Sequence, residues 1–160
     1  MIIAPHEIHD HRIKGLQQEF EGTLLYSQLK NDSDDLNAGV LIIDNVGMLS
    51  RLYHYATIAY VGGGFTKDGI HNILEAAVHA KPVVFGPNHK KYREGKELIK
   101  HGGGFSVSTA DELKYLIEKL LEDKNLYQKA CEKSVEYTNN KKGATQKIMI
   151  YIQENRLLTN

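Results

Sequence analysis

The sequence predicts an α/β fold of the Rossmann-like, doubly wound kind, a parallel sheet of about six strands with helices between them. Short apolar segments alternate with segments of helical spacing along the chain, the pattern of strand–helix–strand units. Two apolar runs, residues 38–43 and 82–85, are continuous rather than alternating, as in parallel strands buried on both faces. A glycine triplet, Gly62-Gly63-Gly64, follows the strand-like Ile58, Tyr60 and Val61 and precedes a helix-like segment. It therefore lies at a strand-to-helix turn.

The elements follow in order. Ile2 to Ala4 reads as a short strand closed by Pro5. Ile8, Ile13, Leu16 and Phe20 recur near helical spacing over residues 6–20. Gly22 breaks that helix before a second strand at residues 23–27, and residues 31–37 form an acidic, Asn-rich loop. The run 38–43 is the third strand, and Leu49, Leu52 and Tyr53 mark a short helix over 48–56. After the glycine turn a helix is expected over 72–80, a strand over 82–85, a helix over 92–101 and a strand over 105–107. Thr109 and Glu112 form a capping box, in which hydroxyl and carboxylate satisfy free N–H groups at a helix start. Leu113, Leu116, Ile117, Leu120 and Leu121 give that helix an apolar face. Two more helices are expected over 126–137 and 145–157, the last crossing back over the body.

Composition bounds the function. At 160 residues the chain fits one domain with a sizeable core. Lys+Arg and Asp+Glu both total 20, so no net field points to nucleic acid or an anionic membrane. Cys131 is the single cysteine, which excludes an internal disulfide and fits a reducing compartment. No apolar run approaches the roughly 20 residues that span a bilayer, and Met1 opens no signal-peptide pattern. A soluble chain is expected. One that begins inside a strand is expected to be part of something longer.

Ligands of parallel sheets sit at the carboxyl ends of the strands. The loops to watch, all expected to face one cleft, are 5–10, 44–48, 62–72 and 86–94. Gly62, Gly63 and Gly64 leave backbone N–H groups uncovered next to a helix start, a site for an anionic group such as a phosphate. The alternative is a turn that needs glycine only for shape. There is no G-x-G-x-x-G and no Gly-Lys-Ser/Thr, which argues against NAD, FAD and P-loop chemistry. A second triplet, Gly102-Gly103-Gly104, reads as a helix C-terminus.

Asn72 and Glu75 are three apart at a helix start and point the same way. They read either as a cap or as ligands: Glu75 for a ribose diol, His71 or Asn72 for a phosphate oxygen. His6-Glu7-Ile8-His9-Asp10-His11 has no common metal spacing, and exposed helix-opening residues are the better reading. Asn88-His89-Lys90-Lys91-Tyr92-Arg93-Glu94 is a basic cluster, read as a solvated loop or as a contact for an anionic sugar carboxylate. No nucleophile–base–orienter set and no carboxylate pair is apparent. No metal or other cofactor is expected.

The combination of Tyr60-Val-Gly-Gly-Gly-Phe65, Gly69-Ile-His-Asn-Ile-Leu-Glu-Ala-Ala77 and Lys81-Pro-Val-Val-Phe-Gly-Pro-Asn88 resembles the C-terminal half of 3-deoxy-D-manno-octulosonic acid (Kdo) transferase. The resemblance runs from about Ile2 to at least Val107. It implies the C-terminal domain of a two-domain GT-B glycosyltransferase that moves Kdo from CMP-Kdo to a lipid A precursor, at the cytoplasmic face of the Gram-negative inner membrane. It implies that Gly62, Gly63 and Gly64, with His71 and Asn72, hold the CMP phosphate, and that Glu75 takes the ribose hydroxyls. Gly86, Pro87 and Asn88 would border the nucleotide-sugar cleft. Many members have Pro-Arg-His after the first strand; here it is Pro5-His6-Glu7, so either His6 takes the Arg's place or the phosphate relies on the backbone. Where many members have an acidic residue after a glycine past the third strand, this chain has Met48.

The resemblance also assigns the membrane segment, the acceptor site and the general base to an N-terminal domain outside this sequence. The chain alone is then expected to bind donor without transferring sugar, and to dimerise through the face that domain would cover. Two alternatives share parts of the pattern. One is the equivalent domain of a UDP-sugar GT-B glycosyltransferase or epimerase, the other a non-catalytic module with a structural glycine turn.

Overall fold

A computed structural model describes residues 1–29 and 38–157. The acidic loop expected at 31–37 lies outside the described residues. Strands β1 (Ile2–Ile3), β2 (Thr23–Leu25), β3 (Val40–Ile42), β4 (Ala59–Val61), β5 (Val83–Phe85) and β6 (Gly104–Ser106) fall inside the expected apolar runs or within one residue of them. Helices α1 (Asp10–Glu19), α2 (Leu49–Leu52), α3 (Leu74–Ala77), α4 (Arg93–His101), α5 (Ala110–Glu122), α6 (Lys124–Asn140) and α7 (Ala144–Glu154) complete the set. Every strand pairing is parallel. The α/β class with parallel strands is as expected.

One expectation is corrected. The strands form not one sheet of six but two sheets of three, ordered β1-β3-β2 and β4-β5-β6. The chain likewise divides into two compact units, Met1–Leu52 and Tyr53–Asn160. Apolar periodicity marks where strands occur but carries no information about which neighbour each one pairs with.

In the first unit, β3 is central, with Ile3 opposite Ile42 and Leu25 opposite the same residue on the other side. Ile13 of α1 packs with Val40 and Ile42 as its core. At the carboxyl ends of β2 and β3, the Ser27 N–H and hydroxyl donate to Asp44 at 2.9 and 2.5 Å. Burial pushes the Asp44 carboxyl up, but the two Ser27 bonds and one from its own backbone together hold the group below its usual range.

In the second unit β5 is central and fully buried, and Val83, Phe85, Ile73, Ala76, Ala77, Leu98 and Tyr137 form one core cluster. Gly102 ends α4 in the left-handed conformation at φ 90°, with its N–H and that of Gly103 returning to the carbonyls of the last turn. The second triplet is therefore a helix stop. Thr109 caps α5, accepting the Glu112 N–H at 3.1 Å, while the Glu112 carboxylate takes the Ser108 N–H at 2.6 Å. Asp123 caps α6 in the same manner, accepting the N–H groups of Asn125 and Leu126 at 3.0 Å.

Helix α7 forms where a last helix is expected, and none of its residues is buried. Ile148, Met149, Ile150 and Tyr151 all stand exposed.

A polar knot ties α4 to the end of α6. Glu97 receives Arg93 at 2.7 Å, Lys141 at 2.9 Å and the Tyr137 hydroxyl at 2.9 Å. The bonds from Lys141, Arg93 and Tyr137 hold the Glu97 carboxyl down at about 2, while burial and the same carboxylate push Tyr137 up to about 12. A folded value below the ordinary 4.5 means that the unfolded chain takes up this proton more readily. The contribution is complete above the unfolded value and is lost as pH falls toward about 2. Thermal melts through that acid window should therefore show a steeper loss of Tm in the natural chain than in Glu97→Gln. Parallel curves would contradict this.

Candidate functional site

Strand β4 delivers the chain directly into the glycine triplet, and each glycine there has a different local demand. A Cβ on Gly63 would meet the His71 ring at 2.2 Å and the Gly69 carbonyl at 2.3 Å, and its φ is +84°. A Cβ on Gly64 would lie 2.5 Å from the Gly86 backbone nitrogen, and one on Gly86 2.6 Å from the Gly64 carbonyl carbon. The turns after β4 and β5 thus touch backbone to backbone, which only glycine allows. Gly62 has open space around it and is exposed.

Each carbonyl of the triplet accepts a backbone bond. Gly62 O accepts the His71 N–H at 3.0 Å, Gly63 O the Thr66 N–H at 2.9 Å, and Gly64 O the Asn88 N–H at 2.9 Å. C=O and N–H are antiparallel across a trans peptide, and the described backbone has no cis bond. The N–H groups of Gly63, Gly64 and Phe65 are accordingly directed away from those partners. This edge is the part of the turn suited to an anion.

His71, Asn72 and Glu75 follow directly. Asn72 links the start of α3 in both directions: its carbonyl oxygen accepts the Leu74 N–H at 3.1 Å and its amide donates to Glu75 Oε1 at 2.9 Å. The side chains of Asn72 and Glu75 therefore meet, as their three-residue spacing predicts. Glu75 is half-buried, and its second oxygen is not engaged by Asn72. Burial, and after it the Glu75 carboxylate, push the Tyr53 hydroxyl above its usual range. Tyr53, which the sequence reading attached only to a short helix, is thus a neighbour of the proposed ribose ligand.

Helix α3 is shorter than the expected 72–80. It is a single turn, Leu74–Ala77, after which Ala80 takes a positive φ of 54°. One turn aligns few peptide dipoles, so an anion here would rely on the loop amides more than on a helix dipole.

The basic cluster after β5 is largely used internally. Asn88 Nδ2 donates to Thr66 O at 2.9 Å, Lys91 Nζ to Lys67 O at 3.3 Å, and the Tyr92 hydroxyl to Asp68 O. Arg93 is paired with Glu97. These side chains strap the glycine loop. Gly86 and Pro87 adjoin the strap, and His89 lies edge-on to Phe85 with ring centroids 5.4 Å apart. Sequence offered no sign of the strap, since Asp68 and Tyr92 are separated by 24 positions.

His6 is exposed in the first unit, as are His9 and His11, whose rings stack at 5.7 Å. The loops 5–10 and 44–48 belong to that unit, and those at 62–72 and 86–94 to the second. Among the described residues, no group of three or more His, Cys, Asp or Glu side chains is arranged to hold a metal ion. No described helix is long and apolar enough to cross a membrane.

The second unit is thus a parallel α/β fold of the Rossmann-like class, with a glycine turn and an acidic side chain after one strand. No protein-family model matches the chain. Among known proteins, it is 38% identical over 89 residues to the 3-deoxy-D-manno-octulosonic acid transferase of Aquifex aeolicus, covering 55% of this chain and 25% of that protein. It is 31% identical over 121 residues to the transferase of the same name from Haemophilus influenzae, covering 74% and 28%. A bifunctional glycosyltransferase/methyltransferase of Fusobacterium nucleatum is 28% identical over 165 aligned positions, 99% of this chain and 22% of its own length.

The C-terminal CMP-Kdo binding domain of WaaA from Acinetobacter baumannii superposes with a TM-score of 0.72 at 20% identity, over 84% of this chain and 71% of that one. The fold is therefore that of the C-terminal domain of a GT-B protein. The resemblance to Kdo transferases read from the glycine, His-Asn-x-x-Glu and Gly-Pro motifs holds. The chain spans about a quarter of the length of these curated relatives.

Proposed function

We propose that this chain is the donor-binding half of a glycosyltransferase that moves Kdo from CMP-Kdo to a lipid A precursor in lipopolysaccharide biosynthesis. The observation that supports it best is a chain of direct contacts at the carboxyl end of β4: Gly62 to His71 by a backbone bond, then Asn72 to Glu75 by a side-chain bond. That end of a parallel strand is where such folds take their ligands. In this reading the outward amides of the Gly62, Gly63 and Gly64 turn, with His71 and Asn72, receive the CMP phosphate. Glu75 accepts the ribose hydroxyls, Gly86, Pro87 and Asn88 border the cleft, and His6 stands in for the family arginine.

The acceptor site and the general base belong, on this proposal, to the N-terminal part that the longer relatives possess. The 160 residues by themselves then bind donor without catalysing transfer. The full protein would work at the cytoplasmic face of the inner membrane, and the isolated chain would pair with a second copy through its uncovered face. One observation favours the competing non-catalytic reading: Gly63 and Gly64 each have a steric cause of their own.

Calorimetric titration with CMP, UMP and UDP separates the readings. The proposal predicts CMP binding at least about tenfold tighter than UMP or UDP, a gap of about 1.4 kcal/mol. A preference for UDP would reassign the chain to a UDP-sugar enzyme. Absence of binding by all three would favour the structural turn.

A further inference from the structure

We propose that Tyr92 is a positioning residue for the anion-facing edge of the glycine turn. This deepens the donor-binding proposal and rests on it. Residues 65–68 are all exposed, so burial does little to fix their conformation. Instead, three side chains from one loop take three successive carbonyls of the other: Asn88 on Thr66, Lys91 on Lys67, and the Tyr92 hydroxyl on Asp68.

The Tyr92 ring is fitted as closely as its hydroxyl. Gly69 has φ +87°, and a Cβ there would lie 2.5 Å from Tyr92 Cε2, so the ring fills the space that glycine leaves. Restraint at Asp68 is relayed to the triplet through Thr66, whose N–H and hydroxyl both donate to Gly63 O at 2.9 Å. From the other side, the Asn88 N–H fixes Gly64 O. The amides that follow those two carbonyls, of Gly64 and Phe65, are directed away from the partners that hold them. Their aim is therefore set by a loop that makes none of the ribose contacts.

The test is Tyr92→Phe, which keeps the ring over Gly69 and removes only the hydroxyl. CMP and cytidine are titrated in parallel into the natural chain and the variant, and Tm is recorded for both. CMP affinity should fall about 3- to 10-fold, the range for one lost hydrogen bond. Cytidine affinity should stay unchanged, because only the phosphate meets the amide edge, while Tm should fall by about 2–4 °C for the lost internal bond. Unchanged CMP affinity in the variant, or equal losses for CMP and cytidine, would overturn the positioning role alone. A natural chain that binds neither compound would overturn the donor-binding reading and the positioning role with it.

Discussion

Replacing Glu75 with alanine is expected to weaken CMP binding about 10- to 150-fold, the equivalent of about 1.5–3 kcal/mol for hydrogen bonds to a charged group. The expectation follows from geometry that leaves a carboxylate half-buried at the carboxyl end of the sheet, with one oxygen held by Asn72 Nδ2 and the other available for a diol. The fold should survive. Asn72 is exposed, so water replaces the lost acceptor, and its bond to the Leu74 N–H remains. The variant carries an internal control as well. Glu75 contributes to the raised Tyr53 hydroxyl, so the Tyr53 titration should move back toward its ordinary value of 10.0 even without ligand. A variant that binds CMP as the natural chain does, with Tyr53 shifted, would retain the neighbour relation and remove the ribose role.

The glycine triplet should respond unequally to alanine, with Gly63 far more sensitive than Gly62. Gly63→Ala forces an L side chain to a φ of +84° and into the His71 ring and the Gly69 carbonyl. Left-handed backbone costs about 1–2 kcal/mol, and overpacking adds about 1–3 kcal/mol. A total of about 2–5 kcal/mol is large against the roughly 5–15 kcal/mol that holds a domain together. Gly62→Ala meets nothing within 4 Å, and its stability should stay within about 0.5 kcal/mol. Urea unfolding of the two variants decides the matter. Equal losses would mean that the turn is not held as described, whereas a stable Gly62→Ala gives a folded chain in which the anion edge can be tested by itself.

How far the sequence carried depended on the range of the interaction. All six strand positions were legible, because runs such as 38–43 and 82–85 are local signals of burial on both faces. Pairing was not, and one expected sheet proved to be two. The capping box at Thr109 and the stop at Gly102 were legible for the same local reason. The apolar content of α7 showed a helix but not what its exposed Ile148, Met149 and Tyr151 would meet, since periodicity names a face and not a partner. At the site, the meeting of Asn72 and Glu75 could be read from their spacing. The charges of residues 88–94 could be counted, but not their engagement with backbone carbonyls more than 20 positions away.

The central claim is that a cytidine nucleotide binds at the glycine turn of the second unit. The most direct measurement is backbone amide NMR of the labelled chain during titration with CMP. The account predicts saturable shifts concentrated at Gly62, Gly63, Gly64, Phe65, His71, Asn72 and Glu75, with the amides of Gly63, Gly64 and Phe65 moving most. Saturable shifts that leave these residues still and gather elsewhere would contradict it.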